Sequence, residues 1–365
     1  APTSMQSVDE FIWAMMAALL SAALWVNLAT WIGAPVSTTH SIVGGVMGAG
    51  IAAAGFSAVN WMTMSKIAAS WVISPVLGGF IAALFLWLIK SRIIYQPDKI
   101  AAARKWVPIL IAIMAGAFAS YLALKGLKKV IKIDIQTAII IGALIGIVTW
   151  AITKPIIIKQ SVGMENRNKS LKQLFNIPLI VSAALLSFAH GANDVANAVG
   201  PLAAIVQASF SGEYVTAISI PLWVMIIGAA GISFGLFLFG PKLIRVVGNQ
   251  ITKLNQMRAY CVALSAAITV IVASWLGLPV SSTHIAVGAV FGVGFFREWD
   301  TARRMKFAKL SSDKNKLVVA KEERARRKLV RRSQFMSIIA AWIITVPSAA
   351  VISGVIYSAI LFSMG

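Results

Sequence analysis

The chain has 365 residues, of which 59% are hydrophobic and only 12% are charged. Soluble domains carry about a quarter charged residues, so this composition excludes an ordinary soluble protein and indicates a chain that lies mostly in a lipid bilayer. The net charge of +21 would suit a nucleic-acid partner, but the basic residues fall in short linkers between apolar runs. Orientation in a membrane explains such linkers better, and we expect no nucleic-acid binding.

Apolar runs long enough to cross the ~30 Å hydrocarbon core as helices recur along the whole chain. They predict an all-α, polytopic membrane protein with ten passes, at residues 11–31, 33–54, 67–89, 107–124, 135–153, 177–206, 216–240, 259–278, 279–296 and 335–362. With residue 1 outside, the inside linkers hold 28 lysines and arginines and the outside segments hold 5. Because basic residues favour the cytoplasmic side, we expect both chain ends outside, in a cytoplasmic (inner) membrane.

The most informative feature of the sequence is an internal repeat. When Leu20–Gly50 is aligned with Leu264–Gly294, 18 of the 31 positions are identical, and these include a tryptophan, a proline and a histidine in register. By the predicted orientation, the first copy runs towards the outside and the second towards the inside. Inverted repeats with broken or re-entrant helices are typical of secondary transporters, whose substrate site lies between the repeats near the bilayer midplane.

The repeat suggests a division of the chain into three segments. Residues 1–153 form the first repeat with its linking helices, 154–176 form a cytoplasmic linker, and 177–365 form the second repeat. The second repeat contains the longest polar segment, a basic loop at 297–334, which is expected in the cytoplasm near anionic headgroups.

Two matched motifs interrupt the apolar runs, GAPVSTTHS at 33–41 and GLPVSSTHI at 277–285. Proline disfavours helix in the residue before it, so each motif predicts a helix break, and the following hydroxyl residues suit the cap of a new helix. Since a helix N-terminus attracts anions, we predict an oxyanion site at Ser37, Thr38, Thr39, Ser281, Ser282 and Thr283. The alternative is a pair of proline kinks whose hydroxyls bond back to the backbone.

An acidic residue, Asp194, lies within an apolar stretch, in the segment SFAHGANDVANAVGP at 187–201. A carboxylate at membrane depth costs about 3 kcal/mol, so it should be buried, paired or functional. Asn193 and Asn197 are four residues apart and share a helical face if the helix continues, although Gly191, Gly200 and Pro201 allow an unwound segment. We predict a cation site at Asn193, Asp194 and Asn197; the alternatives are a coupling proton on Asp194 or a structural polar cluster.

The chain has three histidines, His40, His190 and His284. His40 and His284 occupy matched positions of the repeat, where they could pack at helix ends or relay a proton. His190 precedes Asp194 by four residues, and the same two roles are open to it. No set of His, Cys and carboxylate residues has the spacing of a metal site, so we expect hydrogen-bonded histidines and no metal.

At these residues the chain resembles the inorganic phosphate transporter (PiT) family. The resemblance rests on HGANDVANAVGP at 190–201, PVSTTH at 35–40 and PVSSTH at 279–284, and it extends over essentially the whole chain. The family carries a GANDVAN-like string in each half, whereas this sequence shows it only in the second. We therefore expect the first repeat to lack an N-terminal stretch.

The resemblance implies a transporter rather than an enzyme, with no cofactor beyond a coupling Na⁺ or H⁺. It implies symport of phosphate, alone or as a metal–phosphate complex, by alternating access, and a homodimer. Carried over by motif, Asn193, Asp194 and Asn197 would bind the coupling ion, Asn193 would also shape the phosphate site, and the six hydroxyl residues would hold phosphate. Two alternatives stay open, a sulfate permease on the same scaffold and a membrane phosphate sensor that does not transport.

Overall fold

The structure is a computed structural model that describes residues 7–34, 36–125, 134–213, 220–250, 254–278, 280–310 and 332–364. Within these ranges it is built from helices and contains no β-strand, which confirms the all-α prediction. The α-helices, in chain order, are α1 (Val8–Ile32), α2 (Thr38–Ala54), α3 (Trp61–Ile89), α4 (Lys99–Lys125), α5 (Ile135–Gln160), α6 (Asn168–Leu174), α7 (Asn176–Ser211), α8 (Leu222–Gln250), α9 (Gln256–Trp275), α10 (Ser282–Leu310) and α11 (Arg332–Met364).

Eight helices in the described ranges are long and apolar enough to cross a membrane: α1, α3, α4, α5, α7, α8, α9 and α11. The predicted passes at 33–54 and 279–296 correspond to α2 and α10, which are not among these eight. α2 has only 17 residues, and the second half of α10 carries several charges, among them Arg297 and Asp300. The expectation of ten equivalent passes is therefore too simple.

α2 and α10 are the returning arms of two hairpins. α2 lies antiparallel against α1, with Gly45 of α2 in contact with Ala18 and Ser21 of α1. α10 packs on α9 in the same way in the second repeat. A hairpin returns the chain to the side of the membrane on which the hairpin began. Two full crossings do the same, so replacing them by a hairpin does not change which linkers are predicted inside and which outside.

Close packing at glycines fixes the direction of each returning arm. Gly44 and Gly48 of α2 lie against the backbone of α11, and Gly288 and Gly292 of α10 lie against the backbone of α3. Small residues permit such close approach of membrane helices. α3 begins just beyond the end of α2, and α10 lies along the later part of α3, so α2 and α10 leave the centre of the protein in opposite directions. This arrangement is the predicted inverted repeat.

The far end of α10 is anchored by charge. Lys90, in a turn of π-helix that continues α3, donates to Asp300 of α10 at 2.6 Å, and the Tyr95 hydroxyl donates to the same carboxylate oxygen at 2.6 Å. The ion pair is 14% exposed on each side. Of the predicted basic loop 297–334, residues 297–310 continue α10 and 332–334 begin α11, while 311–331 lie outside the described residues.

The largest hydrophobic core of the described residues lies between α3, α4, α9 and α10, at the same end of the protein as this ion pair. At its centre the buried Tyr260 hydroxyl donates to the backbone oxygen of Leu110 at 2.9 Å. α5 extends beyond the predicted pass, to Gln160, and the predicted linker at 154–176 contains the end of α5 and the short helix α6. α7 contacts both α1 and α9 and thereby reaches both hairpins.

Candidate functional site

The two matched motifs form two matched helix junctions. Gly33 follows the end of α1 and Gly277 lies in the turn after α9, and both glycines have a left-handed backbone, with φ of 77° and 70°. A side chain is strained in this conformation, which accounts for glycine at both positions. Pro35 and Pro279 lie outside the described residues.

A serine caps the new helix at each junction. The Ser37 hydroxyl accepts a hydrogen bond from the backbone N–H of His40 at 3.2 Å, and the Ser281 hydroxyl accepts one from His284 at 3.2 Å. This is the N-cap geometry that the sequence predicts for a break followed by hydroxyl residues. A hydroxyl that accepts in this way still has its own proton to donate.

The two helix N-termini meet inside the protein. The Thr39 hydroxyl of the first junction donates to the backbone oxygen of Val280 in the second at 3.3 Å. Ser37 and Ser281 are both at most 2% exposed. Each N-terminus carries a partial positive charge of about half an elementary charge, and here the two converge from opposite directions. The centre of the protein is therefore arranged to attract negative charge.

Asp194 supplies a negative charge at this point. α7 is one continuous helix through Gly191, Gly200 and Pro201, so the unwound segment that these residues allow does not form. The Asp194 side chain is 9% exposed, and its carboxylate accepts hydrogen bonds from Thr38 at 3.2 Å and from Ser282 at 3.0 Å. Thr38 and Ser282 are the matched first residues of α2 and α10, so Asp194 lies between the two matched helix N-termini.

Two asparagines of α7 make further hydrogen bonds to Asp194 and to the two junctions. Asn193 donates to Asp194 at 3.0 Å and to the backbone oxygen of Val280 at 3.2 Å. One turn further, Asn197 donates to the hydroxyls of Thr38 at 3.3 Å and Thr39 at 3.0 Å.

His190, one turn before Asp194, places Nε2 3.0 Å from its carboxylate. With Thr38, Ser282 and Asn193, it is the fourth side chain in contact with that carboxylate. His190 and Asp194, like Asn193 and Asn197, are four residues apart on a continuous helix. Each pair therefore shares a face of α7, as predicted for Asn193 and Asn197.

The predicted site residues thus divide into three sets. The polar cluster around Asp194 contains Thr38, Thr39, Ser282, His190, Asn193 and Asn197, and the two serines cap the helices behind it. Thr283 is half-buried and makes no hydrogen bond to the described part of this cluster. His40 and His284 do not join the cluster; their rings contact each other. The roles of all these residues in binding stay predictions.

Two features of the site were missed by reasoning from sequence. One is the backbone oxygen of Val280, which accepts from Thr39 of the first junction and from Asn193 of α7; since every residue has such an oxygen, no sequence signal could identify it. The other is the contact of Trp71 with His40 and of Trp342 with His284. The partial similarity of Trp71–Pro75 to Trp342–Pro347 is a signal that could have indicated it.

Comparison with known proteins gives a consistent set of similarities. Residues 2–353 match the profile of the Phosphate transporter family. The chain is 45% identical over 413 residues to a "Putative phosphate permease" of Helicobacter pylori, covering 99% of this chain and 78% of that protein. It is 32% identical to a protein of the same description from Pyrococcus furiosus, covering 100% of this chain and 81% of that protein.

A solved structure is also similar. It is described as "The sodium-dependent phosphate transporter", and it aligns with a TM-score of 0.84 at 32% sequence identity. The alignment covers 98% of this chain and 81% of the other. The helix arrangement described above is therefore shared with a protein of known structure.

Proposed function

Because the chain belongs to the Phosphate transporter family, we propose that it moves inorganic phosphate across the cytoplasmic membrane together with a cation. The observation that carries this proposal is the position of Asp194 between the N-termini of two inverted helices. The similar solved structure is described as sodium-dependent, so Na⁺ is the first cation to test and H⁺ is the second.

The position of Asp194 supplies a physical reason for coupling. Its carboxylate already accepts hydrogen bonds from Thr38 and Ser282, at the two positive helix ends where phosphate would bind. Phosphate brought next to an ionised carboxylate at low dielectric is strongly repelled. A cation on Asp194 removes this repulsion and frees the two hydroxyls. Phosphate then binds well only when the cation is bound.

The two hairpins supply a route for alternating access. Their tips meet at Thr39 and Val280, and their arms run to opposite sides of the protein. Movement of one hairpin against the other opens the site to one side at a time, as in other transporters built from inverted repeats. α7 contacts both tips through Asn193 and Asn197, so the state of Asp194 acts on both hairpins.

The test is uptake of ³²P-phosphate into proteoliposomes that contain the full-length protein, with a Na⁺ gradient and a pH gradient imposed separately. Uptake driven by one gradient and unaffected by excess sulfate supports a phosphate symporter and identifies the cation. Inhibition by sulfate indicates a broader oxyanion carrier. Phosphate binding without uptake indicates a sensor, and uptake that is lost with a divalent-metal chelator indicates a metal–phosphate substrate.

A further inference from the structure

Four aromatic rings from four helices form a continuous stack at the centre of the protein. In order they are Trp71 of α3, His40 of α2, His284 of α10 and Trp342 of α11. The ring centroids are separated by 3.7 Å between Trp71 and His40, 4.2 Å between the histidines, and 3.7 Å between His284 and Trp342. The stack therefore joins the returning arm of each hairpin to the other and to a helix beside it.

This stack lies directly behind the hydroxyl residues of the site. His40 and His284 are 3% and 0% exposed, and their backbone N–H groups bond the capping hydroxyls of Ser37 and Ser281. Two residues along an α-helix correspond to about 200° of rotation. His40 and Thr38 therefore point to opposite sides of α2, as His284 and Ser282 do on α10. Asp194 lies on one side of the two helix ends and the rings lie on the other.

The ring contacts are those of packed aromatics rather than of a hydrogen-bonded relay. The two imidazoles meet edge to face at 82°, an arrangement that aromatic pairs prefer and that allows a weak N–H···π contact. No hydrogen bond within the described residues joins an imidazole nitrogen of His40 or His284 to the Asp194 cluster. Of the two predicted roles, packing at helix ends fits this geometry, and a proton relay does not.

We propose that the ring stack is a spacer that fixes the separation of the α2 and α10 N-termini and thereby sets the size of oxyanion that the site accepts. His40 and His284 are positioning residues that act through the capping serines, not ligands of the anion. The inference rests on the proposed function, because it assumes that phosphate binds between these helix ends. Hydrogen bonds are lost over a few tenths of an ångström beyond ~3.2 Å, so even a small change in the separation would alter anion selection.

Arsenate and sulfate separate size from charge in the test. Arsenate has the charge and protonation of phosphate but is larger, while sulfate is close to phosphate in size but carries no proton at neutral pH. A change in spacing should therefore change the arsenate-to-phosphate inhibition ratio. The sulfate-to-phosphate inhibition ratio should stay unchanged, because these two anions are close in size.

The experiment compares His284→Leu, which removes the ring, with His284→Phe, which keeps a ring but removes both nitrogens. Both are measured by phosphate uptake in proteoliposomes. We expect His284→Leu to raise the phosphate KM about tenfold, with Vmax within about threefold, and to change the arsenate-to-phosphate inhibition ratio by at least about threefold. His284→Phe, which keeps an aromatic ring in the stack, should change all three quantities less than His284→Leu does. Phe175→Leu, in a buried aromatic pair with Tyr260 away from the site, should leave the KM and the inhibition ratio unchanged.

The outcomes are distinguishable from failure of the proposed function. If the unmodified protein takes up no phosphate, the function is wrong; if it does and His284→Leu leaves the KM and the arsenate ratio unchanged, the spacer is wrong. Equal defects in His284→Phe and His284→Leu would show that the nitrogens matter and would also overturn the spacer. If His284→Leu does not fold, the half-buried end of the stack offers the same comparison, with Trp342→Leu expected to raise the KM and Trp342→Phe to preserve it.

Discussion

The two helix junctions, at 33–40 and 277–284, are nearly the same in sequence and in local structure. Each has a left-handed glycine, a capping serine and a buried histidine against a tryptophan. They differ in what is attached to them. α2 ends after 17 residues, whereas α10 continues for 29 residues to the ion pair of Asp300 with Lys90.

The hydrogen bonds from the asparagines of α7 to the two junctions also differ. Within the described residues, Asn197 donates to two hydroxyls of the first junction, whereas Asn193 donates to the backbone oxygen of Val280 in the second junction and to Asp194. The groups that attract an anion are thus duplicated, while the carboxylate that opposes an anion comes from α7. On the proposed function, anion binding is expected at the two matched junctions and cation dependence at α7, so each part can be disturbed separately.

The largest effect is expected from Asp194→Asn, which removes the charge from α7 and leaves both junctions intact. Coupled phosphate uptake should fall at least about 100-fold, equivalent to about 2.7 kcal/mol, because a neutral amide holds the coupling cation poorly. Phosphate binding should no longer depend on the cation, since the repulsion is gone. Uptake is measured in proteoliposomes, and phosphate binding is measured at equilibrium at varied Na⁺ and pH.

Asp134→Asn, at an exposed residue before α5, is the matched control. Near-normal coupled uptake in Asp194→Asn would remove the cation-site assignment.

The next effect tests whether the two returning arms are structurally equivalent. A Cβ at Gly48 would collide with the backbone of Ala350, and a Cβ at the matched Gly292 would collide with that of Gly79. Gly48→Ala and Gly292→Ala should each lower stability by about 2.5 kcal/mol through overpacking. Gly50→Ala has open space and should instead be neutral or stabilising, because alanine favours a helix. Thermal unfolding in detergent measures all three; a large difference between the matched variants would show that only one arm is tightly packed.

The ion pair at the far end of α10 gives a smaller effect. Asp300→Asn leaves the mostly buried Lys90 without its charged partner and should lower stability by about 2 kcal/mol, less than for a fully buried pair. Glu165→Gln breaks the exposed pair with Arg167 and should cost less than about 0.5 kcal/mol. Melting temperatures of the two variants provide the comparison. Equal temperatures would mean that Lys90 reaches water and that α10 is not anchored there.

Much of this architecture could be predicted from the sequence because its signals are local or periodic. Apolar runs of fixed length identify the helices, and Gly-x-Pro followed by hydroxyl residues identifies the junctions and their serine caps. The spacing of Asn193, Asp194 and Asn197 places them on adjoining faces of one helix. These features depend only on neighbours in the chain, and the structure agrees with them.

Other features depend on which helices meet, and the sequence could not supply them. A run such as 33–54 is apolar enough to resemble a full crossing, and only its packing against α1 and the contact of Thr39 with Val280 identify it as the arm of a hairpin. Pro201 and its nearby glycines suggest an unwound segment, yet packing of α7 against its neighbours keeps it helical. The ring contact of His40 with His284 likewise requires two segments 244 residues apart to meet.

The smallest predicted effect distinguishes one anion-binding junction from two. Ser37→Ala and Ser281→Ala each remove a hydroxyl proton that is free to reach an anion, and each should raise the phosphate KM by about fivefold, or about 1 kcal/mol. Loss of a helix cap also costs about 1 kcal/mol of stability, so Ser7→Ala, at the N-cap of α1, is the control for that loss alone. It should lower stability without changing the KM. If both serine variants raise the KM equally, phosphate lies between the two helix ends, and their double variant should show the product of the two effects. If only one variant raises the KM, phosphate is held by a single junction. The matching serine of the other junction then serves only as a helix cap.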